Sequence, residues 1–230
     1  MRLHRIHPNP RNREVRRDLA DPYQMHASLS RVFCPPEQKC PPGAILWRLE
    51  PETDPAGRPR LLIQSSLEPD WSPMIESGWL SHVDPGIDLT QKLALDKLHA
   101  GQRFRFRLRA NPSKSMDGKR QGLLNQDAQM QWLQRKGHLH GFALSEPSSV
   151  DYFDFMAQSS THVYADCRIT HEHMLRGSQH GGNSIRVFAA LFEGQLSVTD
   201  PELFKQALAQ GIGHAKMMGL GLLSVVPVPD

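Results

Sequence analysis

The residues from 103 to 109 alternate strictly between arginine and an apolar side chain. In a β-strand successive side chains point to opposite faces, so this period of two puts Phe104, Phe106 and Leu108 on one face. The four arginines lie on the other. The pattern predicts a strand with one buried and one strongly basic face. Shorter runs typical of strands occur at 3–7, 45–50 and 60–66.

Two helices are predicted between these strands. Asp21 is a favourable N-cap, Pro22 takes the first helical position, and Gln24 falls where a capping-box partner belongs. One apolar stripe follows, formed by Met25, Leu29, Val32 and Phe33. A second helical rhythm runs through the leucines of 88–98. With 103–109 as its last strand, this half reads as a ferredoxin-like βαββαβ unit.

The second half again mixes both kinds of element. Helices are predicted at 125–136 and 201–210, and strands at 139–144, 161–170, 184–192 and 220–226. The order indicates a second αβ sandwich of similar size. The polar, histidine-rich stretch 168–183 ends in two glycines and predicts a projecting hairpin. The fold class is therefore α+β.

The charge of the chain is informative in its distribution. The net charge of +3 in 230 residues does not by itself indicate a nucleic-acid binder. Basic residues are nevertheless concentrated in the first 17 positions and again at 103–120, with one acid in each stretch. Such local density suits a polyanionic partner, and solvated surface charge is the alternative.

The hydrophobic runs, cysteines and histidines of the sequence indicate the location of the protein, the state of its thiols and whether it binds a metal. No apolar run approaches the roughly 18–20 residues that span a bilayer, and the N-terminus is too charged for a signal peptide. Cys34, Cys40 and Cys167 are odd in number and predict reduced thiols in a cytoplasm rather than disulfides. The twelve histidines show no recognisable metal-ligand spacing, so no metal is expected.

The run 211–227 is rich in glycine and ends in an apolar strand. Four glycines flank His214 and Lys216. Glycines permit tight turns, and exposed amides beside a lysine suit a phosphate. Neither GxxxxGK[ST] nor GxGxxG occurs here. A structural turn therefore remains the alternative to a phosphate-binding loop.

Tyr23 and His26 lie three residues apart on the first predicted helix, beside its apolar stripe. A histidine can transfer protons near pH 7, and nearby arginines can stabilise a crowded phosphate. Together they suit metal-free RNA cleavage, in which the 2′-hydroxyl attacks the adjacent phosphate. From the spacing alone, both residues fit the boundary of an amphipathic helix better than a catalytic site.

Several ordered segments carry a family resemblance. They include RRDLADPYQMH at 16–26, FRLRANP at 106–112, QWLQR at 131–135 and the glycine-rich run from 211. In combination they are similar to the CasE-type CRISPR-associated endoribonucleases, the crRNA-processing subunit of the type I-E Cascade complex. The resemblance covers essentially the whole chain.

The resemblance implies two tandem ferredoxin-like domains, here at 1–120 and 121–230, and a site at Tyr23 and His26. It implies metal-independent, cofactor-free cleavage of a repeat hairpin in precursor crRNA, leaving 5′-hydroxyl and 2′,3′-cyclic phosphate ends. The partners implied are the CRISPR repeat RNA and other Cascade subunits. A non-catalytic RNA-hairpin-binding subunit is the alternative function. The residues expected to contact RNA are Arg11, Arg13, Arg16, Arg17, Arg109, Lys114, Lys119, Arg120, Arg168, Arg176, Gly211, Gly213, His214 and Lys216.

Overall fold

A computed structural model describes residues 1–35, 37–38, 40–145, 166–178 and 184–229. Its strands are β1 (Arg2–Pro8), β2 (Ile45–Leu49), β3 (Leu61–Ser65), β4 (Leu80–Val83), β5 (Ile87–Asp88), β6 (Arg103–Ala110), β7 (Ser113–Met116), β8 (Lys119–Gly122), β9 (Phe142–Leu144), β10 (Cys167–Ser178), β11 (Ser184–Val198) and β12 (Leu223–Pro227). Its α-helices are α1 (Arg13–Ala20), α2 (Pro22–Phe33), α3 (Ser72–Glu76), α4 (Leu89–Lys92), α5 (Gln126–Leu139) and α6 (Pro201–Gln210). Short 3-10 turns lie at Leu95–Lys97 and Lys216–Met218.

The N-terminal sheet is antiparallel, in the order β2-β3-β1-β4, with β5 also paired to β1. Helices α1 and α2 follow β1, and α3 precedes β4, which gives the βαββαβ succession. The apolar stripe of α2 packs on the sheet: Met25 and Leu29 join Ile6, Leu61 and Ile63 in one buried cluster. The periodicity that predicts α2 is thus the periodicity that fills this core.

The C-terminal sheet repeats the arrangement in the order β10-β11-β6-β12, with β9 paired to β11. Phe104, Phe106 and Leu108 of β6 are buried, and helices α5 and α6 add Trp132 and Phe204 to the same core. The alternation at 103–109 is therefore confirmed. The α+β class with tandem ferredoxin-like folds is confirmed as well.

The assignment of 103–109 to the first unit is wrong. β6 pairs with β11 and β12 in the second sheet, and the fourth strand of the first sheet is β4. Alternation shows that a strand has one buried face, but it does not select the neighbouring strand. The domain division at 120 stays a prediction, and the pairing of β6 argues for a boundary before Arg103.

The structure also differs from the sequence-based prediction at two helices. The helix expected at 88–98 is divided into α4 and a 3-10 turn by Ala94, whose φ is +46°. Helix α1 was not predicted, although the Asn12 side chain caps it by accepting from two backbone N–H groups. Positions 161–165 of one expected strand and 179–183 of the expected hairpin lie outside the described residues.

The prediction of reduced thiols is wrong for two of the three cysteines. Cys34 and Cys40 form a disulfide with a Cα–Cα distance of 5.6 Å, while Cys167 is free. Cys34 is the C-cap residue of α2. An odd count of cysteines does not show which of them the fold brings together.

Candidate functional site

The N-terminus of α2 is attached to the C-terminal domain. Asp21 Oδ1 accepts from the backbone N–H of Tyr23 at 2.9 Å, which is the predicted N-cap. Its Oδ2 accepts from the backbone N–H of Ser178 at the end of β10, also at 2.9 Å. One carboxylate therefore starts the helix and fixes the helix against the β10–β11 hairpin.

His26 lies one turn further along α2 and is half-buried. It lines a cleft of about 620 Å³ together with residues 40–43, Ile45 and residues 213–217. We refer to this space as the His26 cleft. Its Nδ1 is buried, with no hydrogen-bond partner among the described residues. Burial lowers the pKa of His26, so the neutral imidazole is favoured.

Tyr23 occupies a different environment from His26. It packs against a small apolar cluster that includes Leu175 and Met218. It also closely approaches Gly177 of β10, where an added Cβ would lie 3.2 Å from the Tyr23 Cβ. Among the described residues, Tyr23 thus belongs to the contact between α2 and the hairpin rather than to the lining of the His26 cleft. Its catalytic role stays a prediction.

The glycine-rich run divides into structural and cleft-lining parts. Gly211 is buried at the C-terminus of α6, at φ +71°, where an added Cβ would meet the Gly221 carbonyl at 2.7 Å. A contact between Gly211 and RNA is therefore not supported. Gly213, His214 and Lys216 do line the His26 cleft, as the phosphate-binding interpretation requires.

The cations around this loop are close enough to repel one another. Burial lowers the pKa of Lys216, and Lys136 of α5 lowers it further. Burial also lowers the pKa of His214, with Arg120, Lys136 and Lys216 adding to the effect. The Lys136 ammonium lies 5.9 Å from the ring centroid of Trp132, which also underlies Gly213. Because like charges repel one another, an anion bound here would stabilise this cluster of positive charges.

A second cleft adjoins the first through His214 and Ala215. It has a volume of about 550 Å³ and is also lined by Arg120 and Arg186, so we call it the Arg186 cleft. On the hairpin, Arg176 and Arg186 are directly opposite partners in the β10–β11 register. Like charges in opposite positions destabilise a sheet, which again favours a bound anion. Sequence reasoning missed Arg186 and Lys136, because their placement depends on strand register and helix packing.

The structure does not bring the other predicted RNA contacts to these clefts. Arg109 is half-buried on β6, and its Nη2 lies 2.8 Å from His173 Nε2. Arg168 pairs with Glu193 at 3.0 Å. Lys114 and Lys119 are exposed on the β7–β8 hairpin. The four arginines on or just before α1 are exposed as well: Arg11, Arg13, Arg16 and Arg17. Their contact with RNA stays a prediction.

The basic face of β6 is largely neutralised at Arg107. This guanidinium bonds Glu50, Glu52 and Glu193, and these bonds raise its pKa. The expected surface of four free arginines is therefore interrupted by an ion-pair network. Spacing along one strand predicts which side chains share a face, but it does not predict the carboxylates that other segments bring to them.

Two further findings, on metal ligands and on membrane-spanning helices, hold for the residues that the structure describes. No three His, Cys, Asp or Glu side chains lie close enough there to hold a metal ion. In the same part of the chain, no helix is both long and apolar enough to cross a bilayer.

Two tandem ferredoxin-like domains place a half-buried histidine and a basic glycine-rich loop at one cleft, an arrangement suited to a polyanion such as a nucleic acid. A family model described as CRISPR associated protein matches residues 1–227. The chain belongs to this family of CRISPR-associated proteins, and within it to the CasE-type endoribonucleases.

Individual relatives agree with this placement. The chain is 36% identical over 223 residues to the CRISPR-associated endoribonuclease Cse3 of Thermus thermophilus, covering 95% of this chain and 96% of that protein. It is 27% identical over 221 residues to the CRISPR system Cascade subunit CasE of Escherichia coli K12, covering 90% and 93%. A structure of Thermus thermophilus Cse3, bound to an RNA representing a pre-cleavage complex, superposes with a TM-score of 0.78 at 35% identity and 98% coverage of both chains.

Proposed function

We propose that this protein is an endoribonuclease that cleaves the repeat stem-loop of precursor CRISPR RNA and remains bound to the product as a Cascade subunit. The observation that carries the proposal is that His26 lines the same cleft as Gly213, His214 and Lys216. A proton-transfer group and an anion-binding loop thereby face the same space, which phosphodiester cleavage requires. The names of the two relatives, an endoribonuclease and a Cascade subunit, support it.

The reaction uses groups that the cleft already holds. Since burial favours the neutral imidazole, His26 is suited to accept the proton of the ribose 2′-hydroxyl. The resulting oxygen attacks the adjacent phosphorus, and the bond from phosphorus to the 5′-oxygen breaks. Lys216 and the loop amides stabilise the negative charge of the pentacoordinate state. The products carry a 2′,3′-cyclic phosphate and, once the leaving oxygen is protonated, a 5′-hydroxyl, and no metal takes part.

The Arg186 cleft provides a path for the RNA beyond the scissile phosphate. It continues from the His26 cleft at His214 and adds the charges of Arg120 and Arg186. A-form RNA is recognised mostly through its shape and its backbone, so cations at this spacing suit a hairpin stem. We expect the stem to lie along this surface, with Arg176 beside it. A protein that processes transcripts in this way would act in the cytoplasm.

A single-turnover cleavage assay tests the proposal. The cognate repeat hairpin is incubated with excess protein and EDTA, using the wild type, His26→Ala and the control His99→Ala. His99 is an exposed histidine that lines neither cleft. We expect His26→Ala to cleave at least about 100-fold more slowly, because general base catalysis contributes that much, while binding stays within about threefold. His99→Ala should match the wild type.

Three other results of this assay would indicate a different function or a different catalytic residue. Binding without cleavage by the wild type would identify a non-catalytic hairpin-binding subunit. Cleavage that EDTA abolishes would indicate a metal-dependent nuclease. Equal rates for the wild type and His26→Ala would remove His26 from the chemistry.

A further inference from the structure

The disulfide joins the C-terminal end of the helix that carries His26 to a segment that lines the His26 cleft. Cys34 directly follows α2, and its backbone N–H donates to the Ser30 carbonyl at 2.9 Å. Cys40 is itself a lining residue of the cleft and begins the wall formed by residues 40–43. The sulfur–sulfur bond is therefore part of the site rather than a remote feature of the fold.

The two ends of this bond lie against the same core but differ in burial, since Cys40 is half-buried. Cys34 is 8% exposed and belongs to the core cluster of the N-terminal domain. Pro41, Pro42 and Gly43 are exposed. The backbone N–H of Gln38 donates to the Pro35 carbonyl and that of Ala44 to the Pro41 carbonyl, while the Ala44 carbonyl accepts from Ser65 Oγ at 2.8 Å. The disulfide adds a covalent link between this wall and the end of the helix.

We propose that Cys34 and Cys40 are positioning residues of the cleavage site, whose disulfide holds the 40–43 wall in place for the scissile phosphate and makes cleavage depend on the thiol–disulfide state. The inference rests on the function proposed above. The wall lines the same cleft as Gly213, His214 and Lys216. When the wall is released, the RNA still binds through the basic surfaces, but the phosphate is held less accurately against His26.

The redox step is an ordinary exchange with a low-molecular-weight disulfide such as glutathione disulfide. The Cys34 and Cys40 thiols lose two protons and two electrons, one sulfur–sulfur bond forms between them, and the reagent becomes two thiols. Dithiothreitol reverses the exchange and is itself oxidised to its cyclic disulfide. Cys167 is a matched control, since burial raises the pKa of its thiol to about 12 and keeps it protonated.

The bond itself is tested first, by counting thiols. Protein treated with glutathione disulfide is denatured, alkylated with iodoacetamide and weighed. We expect one alkylated cysteine, Cys167, before reduction and all three after it. Three alkylated cysteines without reduction would overturn the inference.

Single-turnover cleavage of a synthetic cognate repeat hairpin then compares the oxidised and reduced forms, well below the thermal midpoint of both. At saturating protein we expect the reduced form to cleave about tenfold more slowly, because small misplacement of reacting groups costs this much or more. The half-saturating concentration should stay within about twofold. Re-oxidation should restore the rate. A bond that only stabilises the fold would leave the rate at saturation unchanged at this temperature.

Variants separate the possibilities. Combined Cys34→Ser and Cys40→Ser should cleave at the reduced rate with or without dithiothreitol, and Cys167→Ser should respond as the wild type does. Equal rates for the oxidised and reduced wild type would overturn the inference while leaving the proposed function intact. No cleavage in either form would refute the proposed function, and with it the inference. If the double variant fails to fold, reversible reduction of the wild type decides the question.

Discussion

Replacement of Arg48 by methionine tests how the two domains are held together. Arg48 is almost fully buried on β2 and belongs to the N-terminal sheet. Its Nη1 donates to the carbonyls of Arg107 and Leu222 in the C-terminal domain, both at 3.1 Å. Its Nε donates to Glu50 Oε1 at 2.6 Å. Methionine keeps much of the apolar stem and removes all three bonds.

The expected loss is set by what remains buried afterwards. Removal of one partner of a buried ion pair typically costs about 3–5 kcal/mol. Two features favour the low end of this range. Glu50 keeps Arg107 as a second partner, and the burial that lowers the pKa of Arg48 shows that its charge is costly to hold there. We expect the free energy of unfolding to fall by about 3 kcal/mol, or about 6–12 °C in the thermal midpoint.

Urea unfolding followed by tryptophan fluorescence measures this change, with Arg2→Met as the matched control. Arg2 pairs with Glu68 at 3.4 Å, and the two side chains are 48% and 77% exposed. Exposed pairs contribute roughly 0–1 kcal/mol, so the control should stay close to the wild type. A change below about 1 kcal/mol for Arg48→Met, or an equal change for both variants, would refute the reasoning.

Three further predictions concern the site. Gly219→Ala should lower the free energy of unfolding by about 1–3 kcal/mol, because the φ of Gly219 is +74° and the added Cβ would lie 2.7 Å from the Trp47 ring. An unchanged thermal midpoint would contradict this expectation. With neutral His26 as the base, kcat/KM should be at its maximum above the pKa of His26 and should fall as pH decreases through an inflection below 6.5, since burial lowers that pKa. An inflection above pH 7 would exclude His26 as the base. Arg176→Ala should weaken hairpin binding and reduce the slope of log affinity against log salt concentration by about 1, whereas Arg168→Ala should have a smaller effect because Arg168 is paired with Glu193. Fluorescence anisotropy across KCl concentrations measures both slopes, and equal slopes would count against the proposed path.

Features that depend on neighbouring residues in the chain were predictable. The cap at Asp21, the apolar stripe through Met25 and Leu29, and the alternation on β6 all appear in the structure as expected. Hydrogen bonds to an N-cap and the facing of side chains are decided within a few residues, so the sequence pattern carries them directly. The same holds for the glycine-rich loop, where His214 and Lys216 reach the cleft with Gly213.

Features that depend on distant residues were not predictable in this way. Alternation shows that β6 buries one face, but pairing with β11 and β12 decides which sheet it joins. A count of arginines does not reveal that Glu50, Glu52 and Glu193 surround Arg107. The count of cysteines likewise hid the disulfide from Cys34 to Cys40.

The sequence by itself therefore determined most of the elements and the candidate histidine, and its family resemblance implied the repeated ferredoxin-like plan. Only the tertiary structure decided that His26 and Lys216 line one cleft, that Tyr23 packs into the domain contact, and that Arg186 extends the basic surface. The physical reason is that backbone periodicity specifies which face of an element is buried, whereas a site forms where the faces of several elements meet.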